Sequence, residues 1–434
     1  MKKNLFSKDF TLVVIGQIIS LFGNAALCFA LPLYLLNLTG SAQLYGTVTA
    51  CALIPSILLS PVGGIIADRV NKRNIMAALD FSASALVFAL FLLIDAGNPV
   101  LLLTAVLMAL YGIAGAYRPA VQAAIPALAG SEHLIHANAV INSVNSLASL
   151  LGPALGGVLF SVCGLKPLLL LCTVCFALSA VMELFICIPY TRPQRTQRLL
   201  SMLRTDFGES LSFIFRRKTV IGKSLLIVCA INFFLSAMLT VGLPYLITEV
   251  LPFSAALANR LCGFAEGALA AGGLAGGVCA GIFASRLAAS ARISCDPNAV
   301  QAQGGQSGIQ YAGNLLIFAA ALIFPMGIAV ILSPSAHFTY AVLVICCFLL
   351  MALCSVFTIQ VLSFVQAETP EALLGKVISV IMTVSMCAQP LGCALYGILF
   401  ERCRGFEEAV ILFSAAASLA VALPARALFK NVRI

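Results

Sequence analysis

FTLVVIGQIISLFGNAALCFALPLYLLNLTGSAQLYGTVTACALIPSILLSPVGGIIA, residues Phe10–Ala67, contains no Asp, Glu, Lys or Arg. A helix crossing about 30 Å of hydrocarbon needs roughly 20 apolar residues. The run is too long for one crossing and suits two, joined by a turn at Asn37-Leu38-Thr39-Gly40-Ser41. Pro297 to Ala367 behaves in the same way. Across the chain 61% of residues are hydrophobic and 9% charged, with a mean hydropathy of +1.07. A soluble domain carries about 25% charged residues, so lipid is the main solvent here.

The expectation is an all-α membrane protein with twelve spans, near residues 11–36, 43–66, 75–94, 99–125, 138–163, 167–189, 224–247, 263–285, 313–333, 339–363, 377–400 and 408–425. Lys2, Lys3 and Lys8 ahead of an apolar stretch imitate a signal peptide. The stretch is too long and has no convincing small-residue cleavage site, so it reads as a retained first span. Of the 25 Lys and Arg, only Lys166, Arg260, Arg402, Arg404 and the intra-span Arg118 fall outside the segments that face the cytoplasm when both termini are inside. The positive-inside rule therefore selects that orientation, in a bacterial-type cytoplasmic membrane.

The net charge of +9 needs no nucleic-acid partner, because basic loops set topology and meet anionic lipid headgroups. Most of the 16 cysteines lie in apolar runs, where Cys acts as a small hydrophobe. Cys172 and Cys175 have metal-type spacing without further ligands nearby, and His133 and His136 sit in a short polar loop beside Glu132. No metal site is expected. The long polar stretch from Tyr190 to Lys223, rich in Arg, divides the chain into a first six-span bundle (1–189), a cytoplasmic basic linker (190–223) and a second six-span bundle (224–434). Leu199, Leu200, Met202, Leu203, Phe207, Leu211, Phe213 and Ile214 give the linker an amphipathic pattern suited to the inner membrane face. Ile125-Pro126 and Gly152-Pro153 in the first half are answered by Thr369-Pro370 and Gln389-Pro390 in the second, a weak internal repeat.

Gly64-Ile65-Ile66-Ala67-Asp68-Arg69-Val70-Asn71-Lys72-Arg73 follows the second span. Gly64 would let two helices approach, and Asp68 stands at a helix end where it can pair with basic groups. This stretch resembles the signature loop of the major facilitator superfamily, with Asn71 where the family usually has Gly. Asn is the next-best residue for a left-handed turn. By that resemblance Gly64, Asp68, Arg69, Lys72, Arg73 and the nearby Asp80 form a gating latch; on charge alone the basic residues would also enforce topology. Ala148-x-x-x-Gly152-Pro153-x-x-Gly156-Gly157 resembles the motif of the antiporter branches, which implies export. Span eight carries Gly273, Gly277 and Gly281 on one face and Gly272 and Gly276 on the next, a pattern for close packing. Gly16-Gln17, Ser20, Pro119-Ala120, Ile125-Pro126, Leu134, Ala137-Asn138-Ala139, Thr369-Pro370-Glu371 and Gly375-Lys376-Val377 are similar to the macrolide-efflux and enterobactin-exporter branch. The resemblance implies two six-helix bundles, a central cavity and alternating access.

Ionisable groups inside a bilayer are functional candidates. Asp80 fits gating or proton carriage. Arg118 either holds an anionic group or snorkels. Glu266, withdrawn from water at the start of span eight, suits proton exchange or an interface. Glu183 reads as facing lipid or supporting the bundle. Gln17, Asn24, Asn145, Asn232, Phe233, Phe234, Gln360 and Gln389 are the candidates for lining the substrate cavity, with Tyr245 as further surface. A mostly apolar pocket with few polar groups suits a bulky amphipathic molecule. The expectation is proton-coupled export of a small hydrophobic or amphipathic compound by a monomer without cofactor, with metabolite uptake or a non-transporting receptor as alternatives. No nucleotide loop, paired metal ligands or nucleophile constellation suggests an enzyme.

Overall fold

The computed structural model describes residues 7–95, 97–129, 133–187, 207–292, 312–332 and 335–430. Twelve helices among them are long and apolar enough to cross a membrane. They are α1 (Lys8–Thr39), α2 (Ala42–Arg69), α3 (Lys72–Leu93), α4 (Pro99–Ala129), α5 (Leu134–Cys163), α6 (Leu165–Leu184), α7 (Thr219–Val250), α8 (Ala255–Arg292), α9 (Ala312–Leu332), α10 (Ala336–Glu368), α11 (Glu371–Arg402) and α12 (Glu407–Lys430). Each expected span has its helix, and most helices extend beyond it. Hydropathy marks the hydrocarbon boundary, whereas helices end where caps satisfy the backbone. The Ser7 side chain accepts from the Phe10 amide at 3.3 Å and starts α1. Gly40 ends it at φ 59°, and Ser41 caps α2 by accepting from the Leu44 amide at 3.2 Å. The turn expected at Asn37–Ser41 is thus built by one left-handed glycine and one serine.

The chain divides into two compact units: Met1–Arg195 with Pro244–Gly267, and Thr196–Leu243 with Ala268–Ile434. In the first unit, α2 packs on α4, α3 on α6, and α1 on both α5 and α6. Lipid supplies no hydrophobic drive between helices, so small residues that admit a neighbouring backbone set these contacts. A Cβ on Gly63 would lie 2.6 Å from the Ala116 Cα, and one on Gly115 would lie 2.7 Å from the Ser56 carbonyl oxygen. Gly64, by contrast, would meet only Pro119 at an ordinary 3.8 Å. The close approach assigned to Gly64 therefore belongs to Gly63, because one residue along a helix turns the Cβ direction by about 100°.

In the second unit, α9 packs on α10 and α12, and α11 on α7. Gly272 and Gly276 of α8 lie against the Phe348 and Ala352 carbonyls of α10, whereas Gly273 and Gly281 have open space where a Cβ would project. Of the two glycine rows in span eight, only Gly272/Gly276 is a packing face. The expected linker residues 190–206 lie outside the described residues. From Phe207 the chain is helical, and Phe213 and Ile214 are buried with Ile221, Leu225, Val365 and Phe429. These two apolar residues are core of the second unit rather than a membrane-surface face, while Phe207 and Phe215 are exposed.

Candidate coupling and binding sites

Four helices of the first unit bring polar side chains into one buried cluster. On α1, Gln17 and Ser20 lie one turn apart on one face; on α6, Ser179 and Glu183 do the same. Asp80 comes from α3 and Tyr117 from α4. All six are buried, Asp80 at 2% exposure and Glu183 at 1%. The Ser20 hydroxyl donates to Asp80 Oδ1 at 2.9 Å, and the Tyr117 hydroxyl donates to Glu183 Oε1 at 2.5 Å. Gln17 adjoins Tyr117, and Ser179, beside Asp80, donates to the Gly16 carbonyl at 3.0 Å. Asp80 Oδ2 and Glu183 Oε2 are buried with no hydrogen-bond partner among the described residues. A small cavity of about 30 Å³ adjoins the cluster, lined in part by Ser20, Asn24, Asp80, Tyr117 and Arg118. A water needs about 10–15 Å³, so the cavity has room for a water or two and is too small for an organic cargo.

Of the two readings of Glu183, facing lipid or supporting the bundle, its burial and its bond from Tyr117 exclude the first and agree with the second. Leu170, Leu171, Val174, Leu178 and Val181 form the exposed face of α6, and Cys172, Phe176, Ser179, Ala180 and Glu183 the buried one. That periodicity was the available signal; Tyr117 and Ser179 had none, because a tyrosine or serine in an apolar run looks like packing. The reading of Gln17 is corrected: at 2% exposure it belongs to the buried cluster rather than to an open cavity wall.

The signature loop is partly described. Asp68 and Arg69 fall in the last turn of α2, but their side chains lie outside the described residues. Asn71 has φ −59° and accepts from the Arg73 amide at 3.1 Å. It acts as the N-cap of α3, one of the roles Asn fills best, and not as the left-handed turn expected of it. Lys72 and Arg73 are half-buried in the first turn of α3.

The small residues of α5 face two ways. Gly152 and Gly156 lie against Ala25 and Ala26 of α1. On another face, a Cβ on Gly157 would stand 2.7 Å from the Asn259 carbonyl oxygen, and one on Gly263 would stand 2.5 Å from that of Pro153. The first turns of α8 therefore meet α5 backbone to backbone, inside the first unit. Around this contact Asn37 donates to Asn259 Oδ1 at 2.8 Å, Ser161 to the Ala256 carbonyl at 2.7 Å, and Arg260 to Ser161 at 3.1 Å. Glu266 is half-buried one turn further along α8.

Arg118 is exposed on α4 and borders the small cavity; α4 continues as helix through Pro119. Asn24 accepts from Cys28, and Asn145 donates to the Ile141 carbonyl at 2.9 Å, so both are tied to their own helices. In the second unit, Asn232 donates to the Ser385 carbonyl at 3.0 Å and Gln389 to Thr240 at 3.4 Å, tying α7 to α11. Phe233 and Phe234 meet edge to face at 4.9 Å. Gln360 Oε1 is buried and unpartnered among the described residues, and Tyr245 is 2% exposed.

Twelve apolar helices, small-residue backbone contacts and carboxyls buried inside a helical bundle define a multi-pass membrane transporter. The chain belongs to the Major Facilitator Superfamily, whose profile matches residues 13–393. It is similar to macrolide efflux protein A of Streptococcus pyogenes, 22% identical over 406 residues, covering 92% of this chain and 91% of that one. It is also similar to the lysophospholipid transporter LplT of Photorhabdus laumondii, 29% identical over 232 residues, 51% of this chain and 54% of that one. Among solved structures, the nucleoside transporter NupG superposes with a TM-score of 0.67 at 16% identity, covering 97% of this chain and 99% of that one. A D-xylose-proton symporter gives 0.68 at 14% identity, covering 97% of each chain. At those identities the likeness is one of fold.

Proposed function

We propose that this transporter exports a small hydrophobic or amphipathic molecule from the cytoplasm, driven by proton entry and working by alternating access. The observation carrying the direction of transport is the backbone contact of α5 with α8 through Gly157, Pro153 and Gly263. It uses the residues that resemble the antiporter motif, and the similarity to a macrolide efflux protein spans nearly the full length of both chains. Two helices that meet backbone to backbone through small residues, with only exposed hydrogen bonds from Ser161 and Arg260 between them, can part and rejoin as a unit. The protein acts as a monomer in the cytoplasmic membrane with both termini inside, takes its energy from the proton gradient, and uses no cofactor. Asp68, Arg69, Lys72 and Arg73 form the latch at the cytoplasmic side. Asn145 in the first unit, and Phe233, Phe234 and Gln360 in the second, are the side chains offered to the cargo.

The partial similarity to lysophospholipid transporters favours a second reading of the cargo, a single-chain amphipathic lipid. Both readings are tested by accumulation of dyes, macrolides, siderophores and labelled lysophospholipid in efflux-deficient cells. The cells would express wild type or Asp68→Asn, with and without a protonophore. Wild type is expected to lower accumulation of at least one class, and either protonophore or Asp68→Asn to abolish the effect. Equal accumulation of every compound would overturn the export reading.

A further inference from the structure

From the buried cluster of the first unit we infer a proton-binding site in which Asp80 and Glu183 together hold one exchangeable proton, with Tyr117 and Ser20 orienting the two carboxyls. The inference rests on the proton-driven reading and deepens it by naming where the proton resides.

The argument begins with charge. Both carboxyls are almost fully removed from solvent, and each uses one oxygen to accept a hydroxyl hydrogen bond. Neither meets a basic side chain at ion-pair distance among the described residues. Two buried carboxylates without a counter-ion would each be left uncompensated, which proteins avoid by pairing or by taking up a proton. The neighbours facing the pair are neutral: Gln17 and Ser20 from α1, Tyr117 from α4, and Ser179 from α6. Among the described residues Arg118 is the one cationic group bordering the small cavity, and it is exposed on α4.

Each carboxyl also keeps one buried oxygen with no partner, Asp80 Oδ2 and Glu183 Oε2. A proton placed on either forms an O–H bond and converts one carboxylate to a neutral acid, leaving the hydroxyl hydrogen bonds in place. The adjoining cavity, which Asp80 lines, has room for a water or two, enough for a water to take the proton that leaves Asp80. A metal cation is disfavoured, since Arg118 borders the cavity and no group of three or more His, Cys, Asp or Glu is gathered among the described residues. The four helices that carry the cluster, α1, α3, α4 and α6, also form the main packing pairs of the unit with α2 and α5. Loss of the proton places a second negative charge between them, and the packing must answer it by opening toward water or toward Arg118.

The test reads the proton directly. Infrared difference spectra of the purified full-length protein, titrated across neutral pH, report the carbonyl stretch of a protonated carboxyl. Wild type is expected to show a titrating band, altered by Asp80→Asn or by Glu183→Gln alone and lost when both are combined. Glutamine keeps an oxygen for the Tyr117 hydrogen bond, and circular dichroism checks the fold. Tyr117→Phe leaves both carboxyls intact and is expected to move the pH at which the band titrates, which a merely structural tyrosine would not do. Persistence of the band in the double variant, or its loss only on Glu266→Gln, would overturn the proposal. Protonophore-insensitive transport alongside a band that behaves as expected would leave the site standing and remove the proton-driven reading of transport.

Discussion

Replacing Gly263 with alanine sets a methyl group 2.5 Å from the Pro153 carbonyl oxygen, where ordinary contact begins at 3.4 Å. The obstacle is backbone within a helix, so α5 and α8 must part by about 0.9 Å (3.4 − 2.5) at that level. Overpacking of this kind costs about 1–3 kcal/mol. The gain in helix propensity from Gly to Ala is the same whether the two helices touch or have separated, so it cancels from the equilibrium between those states. That equilibrium should shift toward the separated state by roughly 5- to 150-fold. Asn259 is 6% exposed in the contact and is hydrogen-bonded to Asn37, which makes it the reporter. The rate at which a thiol reagent modifies Cys in Asn259→Cys, read on the peptide by mass spectrometry, should rise by that factor when Gly263→Ala is added. An unchanged rate in a folded protein would refute the reasoning: the contact would then be fixed packing, and the export reading would lose the observation that carries it.

Gly276→Ala meets the Ala352 carbonyl more closely still, but within the second unit, so it should lower the unfolding temperature of the purified protein. Its clash exceeds the propensity gain of about 1 kcal/mol, and a higher unfolding temperature would contradict the packing described. Asn71→Ala removes the N-cap of α3 and should cost about 1 kcal/mol, measurable as a lower unfolding temperature, whereas Asn71→Ser should restore most of it. Gly40→Ala forces a side chain into a φ of 59° and should destabilise by about 1–2 kcal/mol, checked in the same assay. The Lys218–Glu368 ion pair, at 2.6 Å and half-exposed, should contribute at most about 1 kcal/mol; Lys218→Ala is expected to shift the unfolding temperature little, and less again in high salt.

The sequence by itself determined the solvent, the number of crossings and the family, because these are carried by local quantities: uncharged run length, turn residues and a contiguous motif. It also marked most of the polar groups that need explaining. Tertiary structure alone decided which of them meet. Gln17 and Glu183 are 166 residues apart (183 − 17) and become neighbours of Tyr117 only because α1, α4 and α6 pack together. A carboxyl near the end of an apolar span is the same letter whether it faces lipid or the bundle interior, and the helix rotation that chooses is set by close packing of small residues on several helices at once. The same holds for Gly63 over Gly64 and for Gly272 and Gly276 over Gly273 and Gly277: the residue type was legible, but the direction in which its missing side chain leaves room was decided by what packs there.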